Sequence, residues 1–196
     1  MLKSIVLGAI CVAAAFCQDQ KPAIDNERVT VWDVTWTKGA ANPAAAGLDA
    51  VFMRLTGHNA GTAAFSAKGS ERNKTGHIGD RWLVIELKDH PVPPLENKTG
   101  YPPAFPRPHA KKLLENNRVI VGSYRWNPGE PSPMHFHDKD VVVVYLEDTA
   151  LTSTTPDGAK KLNQYKAFDI RFNKRDRTHT ELLAHGTGSA MMMELK

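Results

Sequence analysis

Two histidines separated by one residue, His135 and His137, lie just before a run of β-branched residues, Val141 to Val144. Along an extended strand, residues i and i+2 point to the same side. Both imidazoles therefore face one way, and on a side that lines a barrel interior they can grip a metal ion. His179, at the start of another strand-like run, is the candidate for a third ligand. Three neutral imidazoles on a rigid frame suit one divalent transition metal, and iron, manganese, nickel, copper and zinc all accept such a donor set. The competing reading is a hydrogen-bonded pair of histidines in a surface hairpin. Asp140 is the candidate for a fourth, oxygen ligand, against the alternative of a solvated start of a strand. Arg171, Lys174, Arg175 and Arg177 precede His179 and could draw an anionic substrate, although such clusters are more often solvated hairpins. Met191, Met192 and Met193 are read as core, and the four tryptophans as packing residues.

The elements that position these groups are strands. The chain has 196 residues, 41 % of them hydrophobic, which is enough for a buried core. Its net charge of +4 is scattered, so nucleic-acid binding is not expected. Residues 1–17 have the pattern of a cleaved signal peptide: Lys3, an apolar run from Ile5 to Ala15, and small residues at Ala13 and Ala15. That run is too short to span a bilayer, so a secreted or periplasmic protein without integral membrane contact is expected. Cys11 and Cys17 lie in or beside this segment, which leaves no internal disulfide and no Cys ligand for the rest. Phosphate loops, serine-hydrolase elbows and paired-Cys zinc motifs are absent.

The chain repeats itself. Val29, Val31, Trp36, Gly39 and Pro43 recur at a spacing of 90 as Val119, Val121, Trp126, Gly129 and Pro133. His77, Glu86, Leu87 and Lys88 recur at a spacing of 108 as His185, Glu194, Leu195 and Lys196. His185 competes with His179 as third ligand. Its counterpart His77 lies in a half with no other ligand, so the shared His is read as structural. Ala45, Gly47 and Glu71 stand opposite His135, His137 and His179, so the first half is expected to be metal-free. Residues 18–89 form that half and 118–196 the metal-binding one. Between them, 90–117 is a proline-rich connector with a helical turn or two expected over His109–Asn117. Thr155–Gly158 and Asn173–Asp176 are turn signals. Many short strands with regular turns predict an all-β sandwich or barrel.

These residues resemble the cupin superfamily. Gly129, His135 and His137 fit the spacing of its first motif, and His179 takes the histidine place of its second. The resemblance implies two jelly-roll barrels (double-stranded β-helices), the N-terminal one degenerate. It departs from the pattern where a glutamate ligand is expected, at Val141 or Val142, and where Lys174, Asp176 and Leu183 replace the Pro, Gly and Asn of the second motif. It implies a three-His site, with iron as the first candidate metal and oxygenation of a small organic molecule as the activity. The alternatives are a non-catalytic small-molecule or metal-binding module and a purely structural barrel. A homodimer is compatible with the family.

Overall fold

A computed structural model describes residues 21–38, 42–44, 47–70 and 77–196. The signal-peptide segment, Ala45 and Glu71 lie outside the described residues. Every regular element described is a strand. In the first half, β1 (Ile24–Asp25), β2 (Val29–Thr35), β3 (Asp49–Arg54), β4 (Thr62–Ser66) and β5 (Arg81–Leu87) form one antiparallel sheet in the order β1-β2-β5-β3-β4. In the second half, β6 (Ala110–Glu115), β7 (Val119–Trp126), β9 (Asp140–Tyr145), β12 (Ile170–Asn173) and β14 (Gly188–Leu195) form a sheet in the order β12-β9-β14-β7-β6. β8 (His135–His137), β10 (Thr149–Thr154), β11 (Lys160–Tyr165) and β13 (Arg177–Gly186) form a four-stranded sheet in the order β11-β10-β13-β8, which completes the second half.

The repeat is visible in the register. Val29 pairs with Leu87, and Leu87 with Asp49; at the matching places Val119 pairs with Leu195, and Leu195 with Asp140. What repeats is the five-stranded sheet. The degeneracy of the first half goes further than the sequence suggested: among the described residues it has one sheet and no second one to close a barrel. Among the described residues of 55–80, between β3 and β5, β4 is the only strand, whereas residues 146–187, between β9 and β14, carry β10, β11, β12 and β13.

The two five-stranded sheets share a core. Val29, Val31, Val51, Met53, Ile85 and Leu87 pack with Val119, Val121, Val142, Val144, Met191 and Met193, all under 2 % exposed. The other face of the second sheet turns Tyr124, Trp126, Val141, Val143, Tyr145 and Met192 into the barrel. Strand alternation thus gives β9 and β14 two buried faces, which is why both read as continuous apolar runs. At one margin of the shared core the halves exchange ion pairs. Arg28 Nη1 donates to Asp140 Oδ2 at 2.6 Å, and Arg118, its counterpart at a spacing of 90, donates to Asp49 Oδ2 at 3.0 Å.

One local expectation is corrected. Residues 109–117 form no helical turn; Ala110–Glu115 is strand β6, paired with β7 across a register shift between Lys112 and Leu114. The shift lets both Leu113 and Leu114 pack against the shared core. Sheet pairing and burial outweigh the weak helical preference of Lys-Lys-Leu-Leu-Glu.

Candidate metal centre

The site is built where β8 pairs with β13. His135 stands directly opposite His179, and His137 directly opposite Arg177. Since His135 and His137 are two apart, all three imidazoles share one face. The connector fixes β8 from its other edge: Ala104 N–H donates to Phe136 O, and Phe136 N–H to Pro102 O, both at 2.9 Å. The proline-rich segment is therefore part of the site's frame.

The three ring nitrogens converge. His137 Nε2 lies 3.1 Å from His135 Nε2 and 3.2 Å from His179 Nε2, and all three rings are buried. Metal–nitrogen bonds of about 2.1 Å place neighbouring ligand nitrogens about 3.0 Å apart at right angles and about 3.4 Å apart in a tetrahedron. The observed spacings fall between. His135 Nδ1 lies 2.8 Å from the Pro133 carbonyl. A donated Nδ1–H there leaves Nε2 as the nitrogen that carries the lone pair, the arrangement that orients metal-binding histidines. His137 Nδ1 is buried without a partner. Among the described residues, His135, His137 and His179 are the one group of three or more His, Cys, Asp or Glu side chains able to hold a metal ion.

The surroundings keep these imidazoles neutral, the form a metal requires. Burial, reinforced by Arg107, pushes His135 down to about 4. Burial, with Arg177 next, pushes His179 to about 4 as well. His137 is driven lower by the same causes, burial first and Arg177 second. In the metal-free protein this sets acid stability. The folded values lie below the ordinary 6.5, so the unfolded chain binds more protons between about pH 4 and 6.5. The stabilisation is complete above pH 6.5 and is lost as the pH falls towards 4. Lowering the pH from 7 to 5 is expected to lower the Tm of metal-free protein by about 5–10 °C. A Tm equal at the two pH values, measured by circular dichroism, would refute this.

Two of the other sequence candidates are placed differently. Asp140 does not join the imidazoles: its Oδ2 accepts from Arg28, and its Oδ1 accepts the Arg175 N–H at 2.9 Å. On β9 it has the parity of Val142 and Val144, whereas Val141, at the place where a cupin glutamate is expected, lines the pocket beside His137 and His179. His185 is exposed and outside the cluster. Of the four basic residues before His179, Arg177 lines the pocket; Arg171 pairs with Asp169 at 3.1 Å.

Arg107 was not foreseen. It comes from the connector, is buried, and places Nη1 3.1 Å from His135 Nε2. Its guanidinium lies over the Tyr124 ring at 3.9 Å, and Glu181 is 3.9 Å from its Nη2. Glu181, two residues beyond His179, accepts from Trp126 Nε1 at 3.2 Å. The only sequence signal for Arg107 was a lone cation among prolines, which reads equally well as exposed.

No family model and no curated protein matches the sequence. Solved structures do match. A cupin 2 conserved barrel domain protein from Leptotrichia buccalis aligns over 88 % of this chain and 86 % of its own at a TM-score of 0.52, with 12 % identity. A cupin domain from Bordetella pertussis Tohama I aligns over 46 % of this chain and 97 % of its own at a TM-score of 0.42, with 26 % identity. The chain has the cupin fold, an all-β jelly-roll, and in it a three-histidine cluster able to hold a metal ion.

Proposed function

We propose that this is an exported cupin that holds one iron ion on His135, His137 and His179 and oxygenates a small organic anion. The observation that carries the metal is the convergence of three buried imidazoles across two strands, with His137 Nε2 3.1 Å from His135 Nε2 and 3.2 Å from His179 Nε2. Bound iron would supply a redox-active centre with coordination positions left open by the missing carboxylate. The protein supplies charge and dryness. Arg107 and Arg177 both border the pocket, with Glu181 as the one carboxylate among its lining residues, so the lining favours an anionic ligand. The stacked rings of Tyr145 and Tyr165, 3.8 Å apart, add apolar bulk beside that pocket.

One observation favours a second reading, a non-catalytic metal- or small-molecule-binding module. The space bounded by His137, His179 and Arg177 is only about 20 Å³, room for an ion and about one water. Oxygen uptake by iron-loaded protein with thiols, diketones and phenols decides between them. Uptake that requires substrate and disappears in His179→Ala supports the oxygenase. Bound metal without uptake supports the module. Purified protein without transition metal, and unable to take it up, rejects the oxygenase and the metal-binding module.

A further inference from the structure

On the linker side of Met192 lies a cavity of about 220 Å³. Met192 is the one residue it shares with the lining of the imidazole pocket. Its walls include Phe105, Pro106, Ala110 and Ile120. Lys112 and Glu115 also border it, but they are exposed and bonded to each other at 2.8 Å. The exposed Lys111, with Val121, Gly122 and Glu194, completes the lining. The alternation that turns Ala190 and Met192 into the barrel carries Glu194 to the same side of β14. Glu194 is 2 % exposed, and its Oε1 has no hydrogen-bond partner.

A buried carboxyl oxygen without a partner costs stability. It becomes an asset when a ligand brings the missing donor. Size narrows the ligand: an apolar cavity of about 150 Å³ admits benzene, so this one admits a ring with a substituent or two. Polarity narrows it further. The apolar walls would strip the water from a charged molecule without repaying it, and an anion would also meet Glu194. Burial pushes the Glu194 carboxyl up to about 7, against the pull of Lys139, which lowers the cost of keeping it in such a place.

We propose that this cavity is a second ligand site, separate from the imidazole cluster, for a small uncharged monocyclic molecule whose hydroxyl donates to Glu194 Oε1. Phenol represents the class, and toluene is its match without the hydroxyl. The site stands independently of the metal, so it can be tested on protein with or without iron.

Saturation-transfer NMR with phenol and toluene reads it directly. The wild type should bind phenol about tenfold more tightly than toluene, the worth of one buried hydrogen bond. Ala110→Phe and Ile120→Trp fill the cavity and should weaken phenol at least about tenfold. Glu194→Met should keep toluene and erase the preference for phenol; it also removes an unpartnered carboxyl, so its Tm should not fall. Circular dichroism shows which variants fold, and any one folded variant suffices. No phenol signal in the wild type, an undiminished signal in a folded filled variant, or a preference that survives Glu194→Met overturns the proposal. Loss of metal binding would leave all these readings in place, so the two assignments fail separately.

Discussion

The His137→Ala protein is expected to retain less than about a tenth of the metal bound by the wild type after dialysis, since even groups that only orient a ligand are worth about 10- to 100-fold in affinity. Its Nε2 is the hinge of the cluster, 3.1 Å from one neighbouring nitrogen and 3.2 Å from the other. Glu181, the carboxylate that lines the pocket, is held by Trp126 Nε1 and faces Arg107. Asp140 is bound to Arg28, and Val141 occupies the place from which a carboxylate would reach in. Removing the ring also removes a buried Nδ1 that has no partner, which offsets part of the cost of the cavity it leaves, and circular dichroism shows that the variant is folded when its metal is measured. Metal content by inductively coupled plasma mass spectrometry, with the exposed His185→Ala as control, checks this. Wild-type metal content in His137→Ala would dismantle the centre.

Asp140→Ala should show the opposite pattern: a protein destabilised by about 3–5 kcal/mol, the cost of orphaning one member of a buried ion pair, with its metal content intact. The Arg28 and Asp140 side chains are 5 % and 11 % exposed. Burial first, with Arg175 and Arg118 behind it, pushes the Arg28 cation down, and Asp140 is the largest opposing influence. Without the carboxylate, the cation remains in a place water hardly reaches. Urea unfolding reads the loss. The equivalent Asp49→Ala should cost less, because Arg118 and Asp49 are 23 % and 19 % exposed and such pairs are weaker. Replacing Arg28 and Asp140 together by Met and Leu should cost less than Asp140→Ala alone. An Asp140→Ala protein of unchanged stability that has lost its metal would make the carboxylate a ligand after all.

The imidazole cluster was legible because a strand's period of two needs no tertiary information: His135 and His137 share a face wherever the strand goes. His179 was a candidate from its place at the start of a strand-like run, with His185 set aside through the repeat, and the register then set it opposite His135. Asp140 was ambiguous for a related reason. Parity said it faces away from the imidazoles, but only the partner sheet could show that Arg28 was waiting for it. Arg107 was hidden because proline content predicts an extended path and says nothing about where that path runs. The helical turn over 109–117 failed because β7 was not visible as a pairing edge. The change of spacing from 90 to 108 already implied a shorter middle in the first half, but not that, among the described residues, its second sheet would be missing, because a spacing counts residues and does not say which strands they form.

The shared core has a consequence for how this molecule can be cut. Val119, Val121, Val142, Val144, Met191 and Met193 are sealed by side chains from residues 29–87. A fragment beginning at Arg118 would keep every imidazole and yet expose a broad oily plane, because its natural cover would have been left behind. The leading half, bare of metal ligands at the places described, thus serves as the permanent lid over the back of the half that carries them.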